Sequence, residues 1–429
     1  MKNIFVGGAG TCGVHNERYM IDLVISKSFE YGITDDFREA DLIVIIDTCM
    51  ATDDNTLESF NYLKKVLKEK RYDAEVVVSG CLVKGIKFKY SQEYIDILKQ
   101  VICVDSDRII EYVTGKIKPN LNKEILDRLD VPYTIEDNKI YISPVSGCLN
   151  NCSFCKSNYM NFSLNSIPYE KIERFSKWLD GYRTYLNYID ISSSNLSLYG
   201  VDLYGEQRSH EVIKILTSSE SIKFANIGAL INFYPELIDE ILNNSKIKSI
   251  FTSIESGSDR IYNLMNRPIS LDKLKEIIRL IRKERPDIII NTEFISGYPT
   301  ETKDDLKKTI DLVYELDINP IFIHPYKNSQ CIPSAKLPQY SFDYCVKKAR
   351  YLDNKVKKLR DKFSKVIVDG EMLVLDKNEE YRVYLCMLTD GSLKEVGFDH
   401  VDREYNINEI ISGNKIIHKR LSRGYRNMY

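Results

Sequence analysis

At 429 residues the chain is long enough for about three domains. Its 60 Lys and Arg against 62 Asp and Glu leave a net charge of −2, which excludes an overall polycation of the histone or basic-tail type. With 43% hydrophobic and 28% charged residues, it can bury ordinary globular cores and is not disordered by composition.

The opening MKNIFVGGAG has too short an apolar run for a signal peptide, and no window approaches about 18 uninterrupted apolar residues. A cytoplasmic protein with no membrane partner is expected. Three β-branched runs bounded by turn residues then read as buried parallel strands: NIFVGG, DLIVIIDT and AEVVVSG. Between them, RYMIDLVISKSFEYG and NTLESFNYLKKVLKEKR carry apolar residues at helical spacing. This alternation predicts a doubly wound parallel α/β sheet over residues 1–125.

A second series starts near residue 139. KIYISPVSG, YLNYIDISS, IKFANIGALI, KSIFTSI, DIIINTEFI and NPIFIHP read as six strands separated by helical segments. Six βα units predict a partial (β/α)6 barrel over 135–340, with active residues on the loops at the carboxyl ends of its strands. An open α/β sheet is the alternative. A lysine-rich linking helix follows over 341–364. Short strand-like runs then predict a small β-rich domain over 365–429, ending in the basic, helix-like stretch NKIIHKRLSRGYRNMY, read as a solvated tail.

Ten cysteines require explanation, because a reducing cytoplasm does not keep structural disulfides. Cys103, Cys331, Cys345 and Cys386 are scattered singly and read as small buried hydrophobes. Cys148, Cys152 and Cys155 form a C-x3-C-x2-C run directly after a predicted strand. A zinc site wants four ligands, and no fourth lies near these three. Three thiolates in one loop suit a [4Fe–4S] cluster that leaves one iron open to a small chelating molecule. Cys12, Cys49 and Cys81 each follow the carboxyl end of one of the first three strands, where loops converge on a ligand crevice. They read either as a second three-cysteine site or as buried or redox cysteines.

The C-x3-C-x2-C run, with Phe154 before its third cysteine, resembles the radical S-adenosylmethionine (SAM) superfamily. In those enzymes the cluster reduces SAM to a 5′-deoxyadenosyl radical that removes hydrogen from an unreactive C–H bond. Joined to Cys12, Cys49 and Cys81, the pattern resembles the methylthiotransferases, whose N-terminal domain holds a second [4Fe–4S] cluster on three cysteines. The resemblance runs from residue 1 to about 340. Asp47-Thr48-Cys49 is similar to the family's Asn-Thr-Cys, and Gly80-Cys81 to its Gly-Cys. Ser256-Gly257-Ser258 with Leu264-Met265-Asn266-Arg267-Pro268 resembles its fourth-strand signature, and Thr292 to Pro299 with Glu301 and Thr302 its fifth-strand segment. The resemblance implies SAM contacts at Phe154, Asn195, Ser253, Glu255, Glu293 and Gly297. As isolated residues the polar ones among these read equally as caps or solvated groups. Three departures stand out: Cys12 precedes Asn16 by one residue more than usual, Asn161-Phe162 replaces Arg-Gly, and Ser166-Ile167-Pro168 replaces Ser-Arg-Pro.

The family's activity implies net conversion of C–H to C–SCH3, with SAM as both radical source and methyl donor and an electron donor such as flavodoxin or ferredoxin. Its substrates are a modified adenosine of tRNA or an aspartate of a ribosomal protein. From Lys365 onward the chain carries 10 basic and 11 acidic residues, a poor platform for tRNA. With the altered loop, and with Ser197 to Asp202 nearer the protein-modifying branch, a protein or peptide is the expected substrate and tRNA the runner-up. A non-catalytic iron–sulfur or SAM-binding scaffold is the reading from a different class.

Overall fold

The computed structural model describes residues 1–8, 21, 25, 28, 30–50, 53–85, 90–105, 108–118, 131, 133–136, 139–156, 163–181, 188–329, 332–368, 371–378, 383–388, 393–397, 403–406, 409–412 and 415–418. Its first sheet has five parallel strands: β1 (Lys2–Gly8), β2 (Tyr31–Ile33), β3 (Leu42–Asp47), β4 (Glu75–Val78) and β5 (Ile102–Cys103), in the order β2-β1-β3-β4-β5. Alternation along β3 explains why it is apolar from Leu42 to Ile46. Ile43 and Ile45 pack on one face with Phe60, Leu63 and Val66 of helix α1 (Asp53–Glu69). Leu42, Val44 and Ile46 pack on the other with Ile109, Val113 and Ile117 of α2 (Ile109–Ile117). β2 and β5 were not expected from the sequence; each is only two or three residues long at a sheet edge. The helix expected over RYMIDLVISKSFEYG lies almost wholly outside the described residues.

The central sheet contains all six expected barrel strands. They are β7 (Lys139–Ile142), β10 (Tyr188–Ser192), β11 (Phe224–Gly228), β12 (Ile247–Glu255), β13 (Ile289–Ser296) and β14 (Asn319–Pro325). All run parallel, in the order β14-β13-β12-β11-β10-β7, with an antiparallel β6 (Tyr133–Glu136) added at the β7 edge. A short β8–β9 hairpin (Val145–Ser146 and Asn165–Ser166) flanks the cysteine loop. The outward residues Ile189, Ile191, Ala225, Ile227, Ile250, Ile254 and Ile290 are buried under the barrel's helices. These are α3 (Tyr169–Gly181), α4 (Ser209–Ser218), α5 (Pro235–Asn243), α6 (Leu271–Glu284) and α7 (Lys303–Glu315). The inward residues are polar: Asn226 donates to Asp190 at 2.9 Å, Ser249 to Asn226 at 2.5 Å, and Asn319 to Asn291 at 2.8 Å.

Helix starts follow local chemistry. Thr302 and Asp305 form a reciprocal capping box on α7, Ser270 caps α6, and Pro235 opens α5. The linking helix α8 (Phe342–Ser364) turns Cys345, Ala349, Leu352 and Val356 inward and lies against β13, β14 and α7.

The final sheet is antiparallel, in the order β15-β20-β18-β17-β16-β19. Its strands are β15 (Lys365–Val368), β16 (Glu371–Asn378), β17 (Val383–Leu388), β18 (Leu393–Gly397), β19 (Ile410–Ser412) and β20 (Lys415–His418). The small β-rich end is therefore present, with one correction. The basic stretch is not helical from its start: Lys415–His418 forms β20, which pairs with β15 along all four residues and with β18 through Ile417 and His418. No helix among the described residues is long and apolar enough to cross a membrane.

Gly257, between β12 and α7, shows how tightly the barrel top is packed. Its N–H donates to Thr309 Oγ1 at 2.9 Å, and an added Cβ would lie 2.6 Å from Thr309 Cα and 2.8 Å from Lys308 O. Both are backbone atoms of a helix and cannot swing aside. Gly257→Ala is expected to destabilise the chain by about 1–3 kcal/mol, read as a lower urea midpoint at unchanged slope.

Candidate active site

All parallel strands of the central sheet end at one mouth, and the cysteine loop crosses it. Gly147 opens that loop with φ +83; a Cβ there would lie 2.3 Å from Ser163 O, so glycine is required. Cys148 and Cys155 are partly exposed, whereas Cys152 is buried. Burial pushes the Cys152 thiol up to about 11, against the opposing charge of Arg267.

Donors to sulfur are in place. Arg267 Nη1 lies 3.1 Å from Cys152 Sγ, while the Asn150 N–H and Asn195 Nδ2 reach Cys148 Sγ at 3.4 and 3.5 Å. Asn195 Nδ2 and Asn150 Nδ2 also share Asn232 Oδ1, at 3.0 and 2.9 Å. Ser153 locks the loop to the barrel: its N–H donates to Met265 O at 2.9 Å and its hydroxyl meets Tyr298 OH at 2.8 Å. Phe154 packs on Ile261, Met265, Tyr298 and Tyr326, with the Arg267 guanidinium 5.7 Å from its ring centroid.

Across the mouth, Ser253 donates to Glu293 Oε1 at 2.7 Å, and His324 Nε2 meets Glu293 Oε2 at 3.1 Å. Burial and the neighbouring Glu293 charge push Glu255 up to about 8, although Arg267 opposes this. Desolvation acts on the half-buried Glu293 as well, yet His324 and Ser253 hold it below its usual value. Burial disfavours the Arg267 cation, but Cys152 and Glu255 more than offset that and raise its pKa. Glu255 ends β12 with φ +71, a left-handed conformation unusual for a non-glycine residue and often found at functional sites.

Five of the six sequence-predicted SAM residues thus gather around the mouth. The sixth, Gly297, follows the end of β13 with φ +82. Its N–H is engaged by Glu301 Oε2 at 2.8 Å, and Cys345 fills the space a Cβ would need. Its requirement for glycine is therefore steric. Arg267, Asn232 and His324 belong to the same constellation but were not singled out as site residues in the sequence. His324 had a signal: it alternates inward with Phe322 near the end of the sixth strand.

In the first sheet, Cys49 and Cys81 follow β3 and β4. Thr48 stitches their loops together: its hydroxyl donates to Ser79 O at 2.6 Å and accepts the Leu82 N–H at 3.2 Å, and its carbonyl accepts the Cys81 N–H at 2.9 Å. Asn55 Nδ2 reaches Cys49 Sγ at 3.6 Å. Gly80, at φ +93, permits this approach, because a Cβ there would lie 2.7 Å from Thr48 Oγ1 and 2.9 Å from Ile46 O. Cys12 and the Asn161-Phe162 departure lie outside the described residues. Asp54, at the start of α1, forms an ion pair with Lys327 just past β14.

Residues 142–313 match the Radical SAM superfamily, and residues 11–100 match the uncharacterized protein family UPF0004. The chain is similar to ribosomal protein uS12 methylthiotransferases called RimO. That of Clostridium botulinum is 27% identical over 357 residues, 80% of this chain and 79% of the relative. That of Alkaliphilus oremlandii is 27% identical over 395 residues, 88% of this chain and 84% of the relative. Together these matches support a member of the radical SAM methylthiotransferase family. It is an enzyme of that class, which uses a [4Fe–4S] cluster and SAM. Among solved structures, the cobalamin-dependent SAM radical enzyme OxsB matches at TM-score 0.49 with 10% identity, covering 82% of this chain and 56% of that one. That likeness is too loose to bear on chemistry.

The methylthiotransferase mouth fits those groups. Among the described residues no three His, Cys, Asp or Glu side chains converge on a single-ion site. Cluster ligands need not do so, since each thiolate binds a different iron. The N–H donors on Cys148 and Cys152 are the hydrogen bonds that tune thiolate ligands. Asn195 Oδ1 and Arg267 Nε are buried without a hydrogen-bond partner among the described residues, an acceptor and a donor left for a bound polar molecule.

A buried ion pair braces this mouth from behind. Lys348 of α8 donates to Glu301 O at 2.6 Å and Glu301 Oε2 at 3.0 Å, and their side chains are 8% and 1% exposed. Lys348→Met strands the Glu301 carboxylate and is expected to cost about 3–5 kcal/mol. The double variant Lys348→Met/Glu301→Leu should recover only part of that, because the Gly297 N–H loses its Glu301 acceptor, measured by urea unfolding of the single and double variants.

Proposed function

We propose that this methylthiotransferase replaces a C–H hydrogen of a protein or peptide residue with a methylthio group, using two [4Fe–4S] clusters. Cys148, Cys152 and Cys155 at the barrel mouth, and Cys49 and Cys81 in loops joined through Thr48 after β3 and β4, carry this reading. The substrate class is supported by relatives that act on ribosomal protein uS12. Cys148, Cys152 and Cys155 would hold the radical cluster within residues 135–340. Cys12, Cys49 and Cys81 would hold the auxiliary cluster within residues 1–125.

Reductive cleavage of SAM would supply the hydrogen-abstracting radical, the auxiliary cluster would supply the sulfur, and a second SAM would supply the methyl group. The chain's own residues bind and orient. Asn195 offers its amide oxygen and Arg267 its Nε–H to bound SAM, while Phe154 presents a flat apolar face beside the third cysteine. Ser253, Glu255 and Glu293 line the opposite wall with acceptors suited to hydroxyl and amino groups. Glu255, the more easily protonated of the two carboxyls, and Glu293, held ionised by His324, keep one negative charge there rather than two. The apolar wall of Ile261, Met265 and Tyr298 excludes water from that end. The 365–429 β domain, joined by α8, would engage the substrate, and a flavodoxin or ferredoxin would deliver the electron.

Anaerobic iron analysis tests the two-site assignment. The Cys12→Ala/Cys49→Ala/Cys81→Ala variant should lose about half its iron and still form 5′-deoxyadenosine from SAM. The Cys148→Ala/Cys152→Ala/Cys155→Ala variant should lose the other half and form none. Full iron content in the first variant would overturn the second cluster. Gly80→Ala, which separates the Cys49 and Cys81 loops, should mimic the first triple variant by losing iron from one site only.

A further inference from the structure

The helix α8 carries eight basic and three acidic residues along 23 positions, in a chain whose net charge is −2. Its buried side is apolar, and Lys348 is spent on Glu301. The solvent side is different. Lys347, Arg350, Lys355 and Lys357 are all exposed there, and Lys347, Arg350 and Lys357 make no ion pair among the described residues.

Aromatic rings are exposed on and beside this basic face. Tyr344 and Tyr351, two helical turns apart, are 40% and 51% exposed, and Phe342 and Tyr340 at the helix start are 48% and 37% exposed. Tyr340 and Tyr344 lie 4.9 Å apart, and Lys355 sits 5.3 Å from the Tyr351 ring centroid. Water-exposed rings at this density are not needed for the core, which Cys345, Leu352 and Val356 already fill. Cations that track a phosphate backbone, interleaved with rings that stack bases, are the chemistry of RNA binding. The face begins at the barrel mouth, where Tyr340 OH donates to Glu301 O at 3.1 Å.

We propose that the solvent face of α8 is a docking surface for ribosomal RNA flanking the protein substrate. This rests on the protein-substrate reading above and narrows it to a ribosomal protein, the substrate class of the relatives. The surface would hold the enzyme on a ribonucleoprotein while the mouth acts on a protein loop beside it. It would also supply the polyanion affinity that the nearly neutral 365–429 region lacks.

The test compares reconstituted holoenzyme with Lys347→Glu/Arg350→Glu/Lys357→Glu and with Tyr344→Ala/Tyr351→Ala. Binding to purified ribosomal subunits and to total tRNA is measured across a salt series, alongside methylthiolation of an isolated ribosomal-protein peptide. Wild type should bind subunits with a log–log salt slope of about −2 or steeper. The charge variant should bind at least about tenfold more weakly with a shallower slope. The tyrosine variant should bind about tenfold more weakly at an unchanged slope. Both should keep wild-type iron content, SAM cleavage and peptide modification. Unchanged subunit binding in the charge variant, or binding confined to tRNA, would overturn the proposal. If wild type and variants bind subunits as expected but none modifies peptide, the substrate reading fails and the RNA surface stands.

Discussion

The contact between Arg267 and Cys152 is the one on which the site depends. A guanidinium is brought inside the barrel, where a lone cation would be unstable, and it persists because thiol, carboxyl and carbonyl groups surround it. It touches Cys152 with one nitrogen and Ser253 O with another, and it lies over Phe154. One side chain therefore fixes the cysteine loop against β12. It also explains the charge pattern at the mouth: with one cation available, Glu255 stays easily protonated while Glu293 turns to His324 instead.

Parallel strands supply the scale of this arrangement. Within each of the first two sheets, every parallel strand delivers its successor loop to the same edge, so residues far apart in sequence meet without long connections. Cys148, Asn195, Asn232, Glu255, Glu293 and His324 come from successive strand ends. Behind the mouth, Glu301 and Lys348 fasten the loop after β13 to α8. Gly297 gives up its side chain so that Cys345 can pack there. The reacting edge is thus held from both sides of the sheet. The same helix that braces it also presents a basic, aromatic face to solvent.

Much of this was legible in the sequence because it is periodic or covalently local. The six barrel strands are apolar, β-branched runs whose outward residues had to be buried, and C-x3-C-x2-C is a spacing within one loop. The pairing of Cys49 with Cys81 was legible only through topology, since 32 residues separate them. β2 and β5 were invisible because edge strands of two or three residues carry no period. β20 was misread because its positive charges drew attention away from the apolar pair Ile416-Ile417 within a strand of only four residues. Arg267 and Asn232 were missed as site residues for a physical reason: a lone polar residue on a loop gives no sign of where the fold will bury it.

The most direct test of the central claim follows the label. Reconstituted enzyme, reductant, SAM carrying a deuterated methyl group and a ribosomal-protein peptide are incubated anaerobically, and the products are read by mass spectrometry. The account predicts 5′-deoxyadenosine together with one deuterated methylthio group on the peptide. Formation of 5′-deoxyadenosine with no methylthio group on peptide, or with the label on tRNA alone, would contradict it.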